Sequence, residues 1–184
     1  MDLVTKSVVD GPEAEACWSF YDRAFEGLRI RAAQRHAMTS DEFGDQMVDG
    51  RVAKYIVHSP EKAGKPVGMA TMTNDLKAVP LISPEFYEAR WPQFYAQQQI
   101  WYVGFLAVDP DYHGTGVLAQ LIGSLTSVVP AKGGIMCVDI CSFNEEELKL
   151  PDTILRLGRT FSRHLERHRL DTQVFWGYEF ASSV

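Results

Sequence analysis

Residues 103–118, reading Val103-Gly104-Phe105-Leu106-Ala107-Val108-Asp109-Pro110-Asp111-Tyr112-His113-Gly114-Thr115-Gly116-Val117-Leu118, combine an apolar run, a turn with two glycines and the start of a second apolar pattern. Beyond Gly116 the residues Val117, Leu118, Leu121, Ile122, Leu125, Val128 and Val129 recur at helical spacing, so the glycines fall where a helix begins. The first N–H groups of a helix have no intrahelical partner, and the positive end of the helix dipole points at the same spot. Glycine removes the side chain that would keep a ligand off the backbone. The combination suits a phosphate or another anion. A strand followed by a glycine turn also occurs in α/β crossovers with no ligand, so the wider pattern has to decide between the two readings.

That wider pattern is a strand, then Val108-x-Pro110, then the turn with Gly114 and Gly116, then an amphipathic helix. It resembles the acyl-CoA-binding core of the GNAT-type N-acyltransferase superfamily, closely over residues 101–129 and more loosely in element order along the chain. The family signature is Arg or Gln, two residues, Gly, one residue, then Gly or Ala. Here His113 stands at the position of the family's cation, Gly116 keeps the central glycine, and Leu118 replaces the small residue. The resemblance implies that backbone N–H groups from Gly114 through Thr115, Gly116 and Val117 to Leu118 hold the pyrophosphate of CoA. It implies that the strand carrying Leu106, Ala107 and Val108 pairs with the pantetheine arm, and that the N–H of Val108 or a neighbour stabilises the oxyanion. His113 can donate one hydrogen bond when neutral and gains charge as pH falls toward its ordinary pKa of about 6.5.

The implied fold is α/β, with a mixed, mostly antiparallel central sheet of about six or seven strands flanked by helices. The 184 residues, 46% of them hydrophobic, suffice for one well-buried core, and the expectation is a single domain over 1–184. A net charge of −6 argues against a nucleic-acid partner, which would need a basic face. The N-terminus lacks a basic region followed by an apolar run, and no stretch approaches the roughly 18 apolar residues of a membrane span, so the protein is expected in the cytoplasm. Cys17, Cys137 and Cys141 read as free thiols. His164 and His168 are spaced for one helix face, but arginines surround them and no third ligand is evident, so no metal site is expected.

Along the chain, Leu3 to Val9 reads as a strand, and Cys17, Trp18, Tyr21 and Phe25 as one face of a helix. Two short helices follow between Leu28 and Val48, the second starting near Ser40. Residues 51–58 and 66–73 form a hairpin whose next neighbour is 101–108. The connection at about 76–100 is longer than adjacent strands require. Ser83-Pro84 opens a helix there and Pro92 breaks it; Phe86, Tyr87, Trp91, Phe94 and Tyr95 could wall a substrate pocket, pack on the sheet or meet a second subunit in a homodimer. Residues 135–141 read as a buried strand with Cys137, Asp139 and Cys141 on one face. Residues 151–168 read as a helix, and 172–180 as a strand with Val174, Trp176, Tyr178 and Phe180 on one side.

Acyl transfer to an amine needs the amine neutral, a donor for the oxyanion and, at need, a proton for the departing thiolate. Positioning contributes most. A thiol near pKa 8.5 leaves readily, whereas an alkylamine near about 10.4 must first lose a proton. The candidates for proton transfer are Asp139, Asn144 and Tyr178; the helix that follows carries no tyrosine where many relatives place an acid. Three readings compete. The first is transfer from acetyl-CoA or another acyl-CoA to a small-molecule or peptide amine. The second resembles the long-chain acyl-amino-acid and acyl-homoserine-lactone synthases. The third is an acyl-CoA-binding regulatory module without catalysis.

Overall fold

The computed structural model describes residues 1–35, 37–62 and 64–180, with the side chains of 130–132 set aside. Among them, strands β1 (Asp2–Lys6), β2 (Ala53–His58), β3 (Pro66–Thr73), β4 (Ile100–Val108) and β5 (Ile135–Cys137) form one sheet in that order. The first three pairings are antiparallel, the middle one through the short β2–β3 loop, and β4 pairs with β5 in parallel. The parallel step has α5 (Val117–Lys132) as its crossover.

Side-chain alternation splits the sheet into two faces. On one face, Ile56, Met69, Phe105 and Ala107 pack against Cys17, Phe20 and Tyr21 of α1 (Gly11–Phe25) and Phe43 and Met47 of α2 (Ser40–Val48). Tyr21, Phe43 and Phe105 form the aromatic centre, with ring centroids 4.9 Å apart for Tyr21–Phe43 and Tyr21–Phe105. On the other face, Tyr55, Val57, Val67, Ala70 and Val103 meet Val117, Leu121 and Leu125 of α5. The hydroxyl of Thr39 accepts from Glu42 N (3.3 Å) and Glu42 Oε2 from Thr39 N (2.7 Å), a reciprocal cap one residue ahead of the expected start. Lys54, fully buried, donates to the carbonyls of Ser7 and Asp49 at 2.7 Å each, tying the end of β1 to the end of α2.

The long connection forms α3 (Pro84–Arg90), capped by Ser83, and α4 (Pro92–Ala96), with Pro92 at the break. Tyr87, with Trp91 and Tyr95, packs on Leu76, Ile100, Tyr102 and Cys137. Sheet packing thus takes up the buried side of this insertion. Phe86 and Phe94 remain partly exposed.

Four expectations are corrected. The sheet has five strands among the described residues rather than six or seven. The strand expected over 135–141 ends at Cys137, because the chain then turns away from β4, and Asp139 is exposed rather than buried beside Cys137 and Cys141. After α6 (Ser142–Glu146), the last helix, α7 (Leu150–Phe161), stops well before His168. Leu165 folds back onto Gly158 and its carbonyl accepts from Arg159 Nε at 3.1 Å, so His164 and His168 do not share a helix face. Residues 172–180 join no strand ladder: Trp176, Tyr178 and Phe180 are 78%, 81% and 91% exposed. Alternation specifies faces but not a partner, and a strand without one does not persist.

Phe43, wedged among the aromatic rings and 1% exposed, is the sharper test of this packing. Phe43→Ala is expected to lower stability by about 3–5 kcal/mol in urea denaturation, several times the roughly 1 kcal/mol expected for Thr39→Ala at the cap.

Candidate functional site

The site begins where β4 and β5 part. Their pairing covers Ile100, Trp101 and Tyr102 opposite Ile135, Met136 and Cys137 and then stops. β4 continues to Val108, held by β3 along its other edge through Val108–Gly68, Ala107–Met69 and Leu106–Ala70. On the side facing β5, residues 103–108 have no strand partner among the described residues. An open cleft fills the gap. Its walls are Val103 to Leu106 on one side and Met136 and Val138 to Cys141 on the other, with Ile122 and Leu125 of α5 below, Phe25 and Leu28 at the α1 end, and Asn144, Leu150 and Ile154 closing it. The register of β4 slips against β3 between Phe105 and Val103, leaving Gly104 as an extra residue on β4 within the cleft wall.

At the far end of β4 the chain enters its glycine turn under tight control. Asp109 is 1% exposed; its carboxylate accepts from Asp111 N at 3.1 Å and from Lys62 Nζ at 3.0 Å, and it pairs with Arg23 of α1. Tyr112 is buried, its hydroxyl donating to Ser59 Oγ at 3.0 Å, and Lys62 Nζ lies 5.1 Å from the centre of its ring. The hydroxyl of Thr115 donates to the carbonyl of Tyr112 at 2.6 Å. Gly114 and Gly116 have φ of 79° and 92°, a region that disfavours side chains, and an added Cβ at either would meet no atom within 4 Å. His113, Gly114, Thr115 and Gly116 are exposed, while Val117 is buried under the sheet. The start of α5 is therefore fixed in the core, and the turn before it is open to a ligand.

The remaining sequence candidates divide. Asp139 lines the cleft, and Tyr102 donates its hydroxyl to Asp139 Oδ1 at 2.9 Å. Burial pushes the pKa of Tyr102 far above the ordinary phenol, and the charge and hydrogen bond of Asp139 push it further, so Tyr102 stays a donor. Asn144 sits on α6 in the same wall. Tyr178 lies in the exposed terminal segment and does not line the cleft. Burial raises the Cys137 thiol to about 12, which keeps it protonated. Reasoning from sequence missed Tyr102 as the partner of Asp139, and Arg23 and Lys62 as partners of Asp109. The lone glycine at 104 within a strand pattern was a legible sign of the bulge. Among the described residues, no group of three or more His, Cys, Asp or Glu side chains could hold a metal ion, and no helix is long and apolar enough to cross a membrane.

No family model matches the chain, and no curated protein does. Solved structures do. An aminoglycoside acetyltransferase from an uncultured soil metagenomic sample, in complex with sisomicin, superposes with a TM-score of 0.52 at 14% identity, over 97% of this chain and 96% of that one. The aminoglycoside acetyltransferase AAC(6')-Iy gives 0.54 at 15% identity over 97% and 99%. An N-acetyltransferase from Staphylococcus aureus Mu50 gives 0.51 at 20% identity over 83% and 82%. The fold is that of the GNAT-type N-acyltransferases.

Asp109 connects this turn to pH. Burial favours its neutral form, but the hydrogen bonds from Lys62 and Asp111 N and the charges of Arg23 and Lys62 outweigh that and hold its pKa below the ordinary 3.8. A carboxyl with a depressed folded pKa adds stability above its unfolded pKa, and that stability is lost as pH falls through the folded value. Asp109→Asn should therefore be less stable than the parent at pH 7 by about 1–3 kcal/mol, since Arg23 and Lys62 are partly exposed and can rehydrate. The difference should shrink below pH 3.8. Urea midpoints measured across pH test this, and a gap of constant size down to pH 2 contradicts it.

Proposed function

We propose that the protein transfers an acyl group from acetyl-CoA or another acyl-CoA to the amine of a small molecule or peptide. One observation carries this reading: an unpaired strand edge over residues 103–108 borders a cleft and leads directly into an open double-glycine turn at a helix start. An extended amide-bearing chain can hydrogen-bond to such an edge as an added strand would. Phosphates at its end would meet the N–H groups of 114–118 and the dipole of α5. The space above both glycines fits that group, since even a Cβ there would meet nothing.

In this reading the thioester lies beside the bulge at Gly104, where the ladder with β3 is interrupted and backbone donors of β4 would face a developing oxyanion. The acceptor enters as an ammonium and must lose a proton before its lone pair attacks. Asp139, on the facing wall and oriented by Tyr102, takes that proton directly or through water. Asn144 can orient the acceptor by hydrogen bonding. Attack forms the new C–N bond and leaves the nitrogen positively charged; as the tetrahedral carbon collapses and the C–S bond breaks, this second N–H proton passes directly or through water to the departing sulfur, so that CoA leaves as the thiol and the first proton goes from Asp139 to solvent. Two of the similar structures are aminoglycoside acetyltransferases, which supports small polyamines as the first acceptors to try.

A thermal-shift titration with free CoA and acyl-CoAs of increasing chain length tests the cradle. Ligand at about 100 times its Kd adds about 2.7 kcal/mol of stability. Gly116→Trp should fold, less stably because a φ of 92° disfavours a side chain, and lose the ligand's stabilisation because the indole occupies the space left for the phosphates. Equal stabilisation of the folded variant contradicts the site. Stabilisation that grows with chain length would favour long-chain donors instead.

Asp139→Asn should keep the CoA-induced shift and lower kcat by about 10²-fold or more in an amine panel read by thiol release. An unchanged kcat removes Asp139 from the reaction. Thioester binding by the parent protein, with no thiol released for any amine, would favour the regulatory-module reading.

A further inference from the structure

The cleft passes through the sheet from one face to the other. Of the residues that line it, Phe25 and Phe105 pack with the core on the side of α1 and α2, whereas Val103, Leu125 and Met136 pack with the core under α5. The glycine turn opens α5, so a donor whose phosphates rest there leaves the α1 end of the cleft to the acceptor. That end is built of rings and aliphatic groups. Phe25 and Phe105 meet edge to face with centroids 6.1 Å apart, Leu28 lines the same end, and Ile140 and Asn144 belong to the facing walls. Among the described residues, Asp139 is the one charged side chain that lines the cleft.

A cation stands at the rim of this end. Arg31 follows the short 3-10 helix Glu26–Ile30, which carries Leu28, and its guanidinium lies over the ring of Phe143 on α6, 4.9 Å from the centroid. The contact bridges the two elements that supply Leu28 and Asn144 to the cleft. Gly27 leaves room for it: an added Cβ there would lie 2.7 Å from Arg31 Nη1, which donates to the carbonyl of Gly27 at 3.4 Å. Arg31 is exposed, and among the described residues no carboxylate pairs with it, so its charge acts on whatever approaches the opening.

An ammonium group that leaves water for an apolar wall needs a carboxylate or comparable acceptors, or its binding is disfavoured. A single carboxylate serves a single amine. A polyamine would bring its further charges against Phe25, Leu28 and Phe105, where no carboxylate lines the wall, and past the like charge of Arg31. An apolar body would instead withdraw its surface from water against those side chains, and a ring can meet the two phenyl groups edge to face. We propose that the acceptor is a single primary amine on an apolar, ring-sized body held by Phe25, Leu28 and Phe105, and that Arg31 turns polycations away. The inference rests on the acyl-transfer reading and narrows its acceptor, with polyamines as the contrast.

Thiol release from acetyl-CoA gives the test, with 2-phenylethylamine, ethylamine and spermidine as acceptors. For 2-phenylethylamine kcat/KM should exceed that of ethylamine by about 10- to 100-fold, the gain from burying one aromatic ring, and should exceed that of spermidine. Equal values for the two monoamines, or spermidine as the best acceptor, overturn the inference while acyl transfer stands. Arg31→Gln and Arg31→Glu both remove the stacking on Phe143 but differ in charge. They should raise kcat/KM for spermidine in that order at low salt, and the rise should fade at about 0.5 M salt. Equal effects of the two variants, or none, overturn the role of Arg31. Amide shifts in the presence of free CoA read acceptor binding without chemistry: 2-phenylethylamine should move residues 25–28 and 139–144. If no amine releases thiol, the acyl-transfer reading fails and this titration alone decides the pocket. Shifts at those residues then uphold it, and shifts elsewhere or none overturn it.

Discussion

The separation of β4 from β5 after only three paired residues is the constraint on which the rest of the molecule depends. Parallel strands normally stay together because each unpaired buried peptide group costs free energy. Here the sheet gives up that pairing over 103–108 yet keeps β4 in place by other means. β3 holds its far edge. Phe105 and Ala107 are anchored among the rings of α1 and α2, and Val103 under α5. The end of the strand is tied down through buried Asp109 to α1 and to the β2–β3 loop. Fixing β4 from both faces and one edge makes the second edge available without making the strand mobile.

The electrostatics follow the same economy. In the proposed site, with a net charge of −6 and a histidine rather than an arginine at 113, the glycine turn would hold phosphates through backbone donors and the helix dipole more than through side-chain charge. Arg23 and Lys62 lie close by but are engaged by Asp109, and Lys62 also by Asp111, so their charge stabilises the turn before it can serve a ligand. Across the cleft, the hydroxyl of Tyr102 is held protonated by burial and fixes the orientation of a carboxylate that a proton-transfer role would require.

Much of this was legible in the sequence where the information is local. The 3.6-residue period after Gly116 gave α5, the positive φ of Gly114 and Gly116 explains why glycines stand there, and Ser83-Pro84 and Pro92 set the limits of two short helices. What was not legible depends on distant partners. Residues 135–141 look like one apolar strand, but where that strand ends is decided by its departure from β4. The pattern at 172–180 specifies two faces without saying what covers them, and the packing of Leu165 on Gly158 that ends the last helix joins residues on either side of a turn. In the sequence Asp109 is merely the residue between Val108 and Pro110; that it is buried and paired with Arg23, 86 positions earlier, is a property of the fold.

The most direct test of the account is residue-resolved amide chemical shifts during titration with CoA. The account predicts that the largest changes fall on the backbone amides of 103–108 and 114–118, with Asp139 and Asn144 responding when the thioester replaces free CoA. Saturating changes confined to other elements, with those two stretches unmoved, would contradict it.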